Sequence, residues 1–171
     1  MREAVDTAPA AGATQHLSFS VAGTTFGIPV LRVKEILQYE EETRVPGTPP
    51  SIRGVVNVRG SAVPVVDLGV KFGRPEVVPG PRTCVLVVEA AGAAGGLQFG
   101  VIADRVDEVV DLSASAVEPP PRLGPGVQVD YLHGLGKLGS GFILLLDVDA
   151  TLSRVEAARV AQLRDGPEGS G

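Results

Sequence analysis

The sequence predicts a mainly β fold of two small five-stranded barrels packed together, with short helical turns between strands and one helix at the C-terminus. Three observations lead there. Gly (22) and Pro (14) are abundant in 171 residues, which favours short strands and turns over long helices. The 44% hydrophobic content comes with only 4% aromatics and no Trp, so the core must be built from Val, Leu, Ile and Ala. The chain also contains an internal repeat. Phe26-Gly27, Val33 and Glu35-Ile36-Leu37 match Phe99-Gly100, Val106 and Glu108-Val109-Val110 at a shift of 73. Gly54-Val55, Val63, Val65, Val66, Asp67 and Leu68 match Gly134-Leu135, Ile143, Leu145, Leu146, Asp147 and Val148 at a shift of 80. Both blocks run in the same order without gaps. The extra length falls in the Ser- and Pro-rich stretch from Leu112 to Val127.

In chain order, residues 1–14 lack anchoring apolar groups and are expected as a mobile tail. Leu17, Phe19 and Val21 alternate with polar residues, as a half-buried strand does. Ala22-Gly23 is a turn pair, and Thr24 to Val30 is the returning strand. Val30, Val33, Ile36 and Leu37 lie at helical spacing and predict a short helical turn, followed by a strand near Gln38 to Glu42. Ile52, Gly54, Val56 and Val58 share one face of a further strand, with Arg53, Val55, Asn57 and Arg59 on the other. Gly60-Ser61 turns the chain, and Ala62 to Leu68 returns. About five strands per half can close on themselves and remove exposed edges. The division is therefore placed at lobes of about 17–80 and 82–153. Leu152, Val155 and Leu163 predict a helix within Asp149 to Arg164, stopped by Gly166-Pro167. Residues 166–171 read as a second tail, leaving an ordered unit of about 15–165.

Net charge is −5 and no Lys/Arg tract is present, which argues against a nucleic-acid partner. Met1-Arg2-Glu3 is not followed by an apolar run, and Phe142 to Leu146 is too short to span a bilayer, so a cytoplasmic protein without membrane insertion is expected. Cys84 lies in an apolar strand-like run and reads as a buried thiol.

Several motifs mimic catalytic ones. Gly134-Leu135-Gly136-Lys137-Leu138-Gly139 fits GxGxxG, but a strand follows it where a dinucleotide site needs a helix. It reads as a glycine-rich hairpin. Leu138 stands where a Walker loop has Ser or Thr. His16 and His133 lie at no metal-ligand spacing and read as partly exposed and inert. Asp67 and Asp147 share one repeat position, which points to capping rather than acid–base chemistry. No cofactor, metal or catalytic constellation is expected.

The halves differ at Asn57-Val58-Arg59-Gly60. Asn57 is the chain's one Asn and aligns with Lys137, while Arg59 aligns with Gly139. An Arg at a hairpin tip that the fold does not require is a candidate contact residue. Val33, Glu35 and Ile36 have repeat counterparts, so at least some are structural. Small apolar side chains between two lobes suit a partner helix in a groove.

These motifs resemble the CheW family of bacterial chemotaxis coupling proteins over about Leu17 to Leu152. The resemblance rests on Phe26-Gly27-Ile28, Val33-Lys34-Glu35-Ile36, Val45-Pro46-Gly47-Thr48-Pro49, Arg53 to Gly60, and Val63-Pro64-Val65-Val66-Asp67-Leu68. It continues in Phe72-Gly73, Val106-Asp107-Glu108-Val109 and Tyr131 to Lys137. The resemblance implies two five-stranded SH3-like β-barrels around a shared hydrophobic junction, with no catalytic activity and no cofactor. It implies two partners: the cytoplasmic tip of a methyl-accepting chemoreceptor and the regulatory domain of a CheA-type histidine kinase, gathered in membrane-associated arrays. By motif, Arg59 is the family's partner-contact arginine. Val33, Glu35 and Ile36 match the segment near the kinase-binding surface, and Val56, Asn57 and Val58 the strand bordering the receptor groove. Gly47-Thr48 departs from the family's more usual Asn-Ala. Two rival readings are an adaptor of a non-flagellar chemosensory pathway and a small-molecule-binding double barrel or weak enzyme.

Overall fold

The computed structural model describes residues 14–91, 97–120, 131–152 and 154–165. The expected tail over residues 1–13 and the stop at Gly166-Pro167 lie outside them, while Thr14 already opens the first strand. The strands are β1 (Thr14–Val21), β2 (Thr24–Pro29), β3 (Val33–Gln38), β4 (Ile52–Val58), β5 (Ser61–Val66), β6 (Cys84–Ala90), β7 (Leu97–Ala103), β8 (Arg105–Leu112), β9 (Val117–Glu118), β10 (Leu132–Leu138) and β11 (Gly141–Leu146). A short helix α1 (Leu68–Lys71) follows β5, and α2 (Arg154–Asp165) ends the described chain. Single 3₁₀ turns stand at Val30–Arg32, Ala114–Ala116 and Val148–Ala150.

These strands form a five-stranded sheet in the order β3-β6-β7-β5-β4 and a six-stranded sheet in the order β8-β1-β2-β11-β10-β9. Thr43 bridges Val55 of β4, so the chain leaving β3 comes round to meet the opposite edge of its own sheet. In the six-stranded sheet β8 runs through the Ala114–Ala116 turn into β9, which pairs with β10. Each sheet is thus drawn round on itself, and the unpaired edge that invites aggregation is covered.

The repeat is present, but the sheets do not divide the chain at 80–82. The exchange is reciprocal. Phe26 and Gly27 of β2 pair in parallel with Leu144 and Leu145 of β11, while Gly100 and Val101 of β7 pair in parallel with Val65 and Val66 of β5. Gly27 and Gly100 are repeat mates, as are Val65 and Leu145. The first half's β3, β4 and β5 therefore share a sheet with the second half's β6 and β7, and the second half's β8 to β11 share a sheet with the first half's β1 and β2. Parallel pairs cannot be made by a hairpin and need long connections, which this crossing supplies.

Three local expectations are corrected. The helical turn after β2 spans only Val30–Arg32, and Val33, Ile36 and Leu37 lie in β3. Their i, i+3 spacing is incidental, because β-branched Val and Ile favour the pleated strand. The strand foreseen at Gln38–Glu42 accordingly ends at Gln38. The hairpin after β4 turns on Arg59-Gly60 rather than Gly60-Ser61, since Val58 pairs with Ser61.

Phe19, Phe26 and Phe99 are fully buried in a cluster contributed by both sheets, with Phe19 and Phe26 stacked at 5.8 Å. Each buried Phe contributes about 1.5–3 kcal/mol. Val110, Leu112, Ile143 and Leu145 form a second cluster within the six-stranded sheet. Cys84 is buried as expected, and burial pushes its thiol pKa up. Asp67 and Asp147 both cap: Asp67 accepts from the Gly69 and Val70 amides, Asp147 from the Ala150 amide. The C-terminal helix starts at Arg154, later than Leu152, and buries Val160 completely. Its Glu156 accepts from Lys71 Nζ at 2.6 Å and from the Ser51 hydroxyl, which fastens α2 to the five-stranded sheet.

Candidate protein-contact surface on the edge strands

The seven residues singled out from sequence fall on β3 and on the β4–β5 hairpin. These strands sit at opposite ends of the five-stranded order, and curvature brings them together. Arg59 Nη1 and Nη2 donate to Glu35 Oε1 and Oε2 at 2.9 and 2.8 Å. The pair spans the seam where the sheet closes. The Arg59 side chain is nonetheless 78% exposed, and Glu35 is 24% exposed. An ion pair this open to water adds little to stability, about 0–1 kcal/mol.

The backbone of Arg59 is more telling. Its φ is +52°, in the left-handed region that L residues with a Cβ avoid. Its repeat counterpart Gly139 has φ +61° at the same place in the β10–β11 hairpin. The turn geometry asks for glycine, and only the second half supplies it. The first half holds an arginine at a cost of about 1–2 kcal/mol. Asn57 eases the turn, its Oδ1 accepting from the Gly60 amide at 2.7 Å. That use of the Asn57 carbonyl is structural, while its amide group lies on an exposed residue.

The remaining residues divide by burial. Val33, Val56 and Val58 are partly buried and pack against the main core. Ile36 is 48% exposed, and its repeat mate Val109 is 52% exposed. An exposed branched apolar residue at one position in both halves is no core requirement. The structure thus brings Arg59 and Glu35 together, leaves Ile36 exposed on the same strand as Glu35, and packs Val33, Val56 and Val58 against the core.

Sequence reasoning missed what holds this hairpin in place. A β-bulge between Ile52 and Gly54 makes Arg53 the extra residue, since Ile52 pairs with Val66 and Gly54 with Val65. The bulge breaks the strand's alternation and turns Arg53 inward, to 5% exposure. Its Nε donates to Glu42 at 3.2 Å, and its Nη1 donates to the Val77 carbonyl at 2.7 Å and to Asp67 at 3.4 Å. The Tyr39 hydroxyl donates to Glu42 at 2.6 Å. Burial pushes the Glu42 pKa up, but the Tyr39 hydroxyl, a backbone amide and the Arg53 and Arg44 guanidiniums outweigh it and hold the carboxyl below its ordinary range. Burial, with the Glu42 carboxylate alongside, pushes the Tyr39 phenol up. The readable signal was the repeated glycine. Both Gly54 and Gly134 follow a bulge, and a Cβ at either would run into a backbone carbonyl, of Thr43 or of Glu118.

His16 also departs from expectation: it is 5% exposed, with Nδ1 3.2 Å from the Thr14 carbonyl oxygen. His133, the bulge residue of β10, is exposed. The GxGxxG run forms β10 and its hairpin, with no helix after it.

Comparison with known proteins points in one direction. The family described as the CheW-like domain matches residues 15–156. The chemotaxis protein CheW of Klebsiella aerogenes is 36% identical over 146 residues, 85% of this chain and 86% of that one. Protein FrzA of Myxococcus xanthus is 34% identical over 121 residues, 71% and 72% of the two chains. The crystal structure of the scaffolding protein TtCheW from Thermoanaerobacter tengcongensis superposes with a TM-score of 0.68 at 28% identity, covering 78% of this chain and 88% of that chain.

Proposed function

Because the chain belongs to the CheW-like family, a family of scaffold and adaptor proteins, we propose that it joins the cytoplasmic tip of a methyl-accepting chemoreceptor to the regulatory domain of a CheA-type histidine kinase. In this reading it does no chemistry and needs no cofactor. It works in the cytoplasm and is drawn to membrane-associated arrays through its partners. Among the described residues no helix is long and apolar enough to cross a membrane.

The observation that carries the proposal is Arg59, held in a backbone conformation its counterpart assigns to glycine and left exposed at the hairpin tip. A residue kept against conformational cost, and adding little to stability, fits a contact role. Arginine is among the residue types enriched at interface hot spots. Each contact can be modest, because holding one partner raises the effective concentration of the other. Signalling follows if receptor states bind unequally, since an adaptor shifts an equilibrium only by its differential affinity.

The test is reconstitution of receptor fragment, kinase and this protein, with kinase activity followed as the protein is titrated. Activity should rise and saturate with the wild-type chain. Ile36→Asp should lower the plateau or shift the midpoint to higher concentration while leaving Tm within about 2 °C, as exposed substitutions do. Kinase activity indifferent to the protein would refute the coupling role. The likeness to FrzA supports a second reading, an adaptor of a non-flagellar chemosensory pathway. Reconstitution with receptor and kinase from the same gene neighbourhood decides between the outputs.

A further inference from the structure

The repeat sets two equivalent places side by side, one filled and one empty. In the first half, the bulge residue Arg53, the capping Asp67 and Glu42 make a closed ionic cluster. Their counterparts are fixed by structure. The bulge of β10 falls at His133, the cap after β11 is Asp147, and the residue before the closing bridge is Val117. Arg is replaced by His and Glu by Val, while the aspartate is kept. Both replacements are smaller than the residue they stand for. Among the described residues a cavity of about 460 Å³ opens at this spot, lined by His133, Asp147 and Val117 together with His16, Thr14 and Arg32.

The electrostatics are unbalanced in the same way. Asp67 Oδ2 accepts from the Val77 amide at 2.9 Å and from Arg53 at 3.4 Å. Asp147 accepts only through Oδ1, from the Ala150 amide at 3.1 Å, and its Oδ2 takes no hydrogen bond from the described residues. Arg32 lines the cavity but is spent: its two Nη atoms donate to Asp149 at 2.7 and 2.8 Å, and Nη1 also reaches the Glu89 carbonyl. Burial lowers the pKa of His16, which disfavours its cationic form. The cavity wall therefore carries a carboxylate oxygen, Asp147 Oδ2, that takes no hydrogen bond from the described residues and feels Arg32 only through space, and the first half shows an arginine donating to the equivalent oxygen.

We propose that this cavity is a binding site for a guanidinium group, which seats on Asp147 as the Arg53 guanidinium seats on Asp67. The planar fork offers donors to Asp147 Oδ2 and to the hydroxyl and imidazole groups around it, a pattern that an ammonium does not reproduce. The group arrives on a small guanidinium compound or on an arginine of a partner segment, and the size of the cavity leaves room for the atoms that carry it.

The chain has two histidines, and both line the site, so their ring NMR signals report on it directly. The full chain is titrated with N-acetyl-arginine methylamide, with a blocked Gly-Arg-Gly peptide and with N-acetyl-lysine methylamide. Saturable shifts of both histidine signals are expected with the arginine probes and not with lysine. Tighter binding of the peptide assigns the source to a partner segment, and equal or weaker binding to a small compound. Asp147→Asn should abolish the shifts. Because Asp147 also caps the Val148–Ala150 turn, His133→Arg is the second variant. It rebuilds the arrangement of the first half, should fill the site from within, and should abolish the response of His16 without lowering Tm. Absence of a saturable shift with either arginine probe, an equal response to lysine, or binding that survives in both variants overturns the assignment.

Discussion

Replacing Arg59 with glycine separates the fold's needs from the surface's. At φ +52° an arginine pays about 1–2 kcal/mol relative to an unstrained conformation. Glycine removes that strain and adds about 0.5–1 kcal/mol of unfolded-state entropy. The lost pair with Glu35 is bidentate but open to solvent on the arginine side, so its contribution is at most about 1 kcal/mol. The sum runs from about 1.5 kcal/mol stabilising to about 1 kcal/mol destabilising. For a chain of this size that is a fall in Tm of no more than about 2–4 °C, or a rise of no more than about 3–6 °C. Arg59→Ala loses the same pair and keeps the strained turn, so it should melt below Arg59→Gly. Differential scanning calorimetry gives that order, and co-purification with receptor fragment and kinase gives the other half of the result. Both variants should fail to assemble, even though one of them is as stable as the wild type. Full assembly by Arg59→Gly would refute the contact role. A Tm loss above about 8 °C would show instead that Arg59 serves the fold.

Three further outcomes follow from the buried cluster and the bulge. Arg53→Met leaves Asp67 and Glu42 buried without their cation and should cost about 3–5 kcal/mol, a fall in Tm of about 6–20 °C by calorimetry. Gly54→Ala should cost about 2–3 kcal/mol, since its Cβ meets the Thr43 carbonyl, and hydrogen exchange should show the Thr43 and Val55 amides losing protection. Glu42 has a folded pKa below its unfolded one, so its stabilisation is present above the unfolded value, near pH 4–5, and disappears as pH falls through the folded value. A Tm series from pH 7 to 3 should therefore show Glu42→Gln less stable than wild type at neutral pH and converging with it in acid.

What could be read in the sequence was whatever the fold demands twice. Gly54 and Gly134 must lack a Cβ beside a carbonyl, and Asp67 and Asp147 must cap, so these survive in both halves and expose the repeat. The exchange of strands could not be read, because parallel pairing of Val65 with Gly100 depends on contacts between halves and leaves no local mark. Arg53 was hidden for a different reason. Alternation assigns it to the face of Asn57, but the bulge resets the register between them. Arg59 was visible as an asymmetry between the halves, and the structural side of that asymmetry was legible only in part. The sequence shows an arginine where a repeat mate has glycine, but the positive φ that makes this costly is set by the folded hairpin.

The strand exchange also explains how the two halves could diverge at their ends. The paired strands β2 with β11 and β5 with β7 bind each half to the other's sheet, and the stacked Phe19 and Phe26 and the buried Phe99 belong to the core these sheets share. Neither half can then shift without breaking backbone pairing in both sheets. The hairpin tips lie at the far ends of β4–β5 and β10–β11 from this junction, and the bulge residues Arg53 and His133 have no partner in the ladder, so a change of side chain at either leaves the strand register in place. Arg59 against Gly139 and Arg53 against His133 are differences of this kind: one changes what an exposed tip can touch, the other whether a polar site is filled from within. A rigid shared core with independently variable tips is what a protein needs in order to present different surfaces to different partners, and duplication with strand exchange provides it in a single chain.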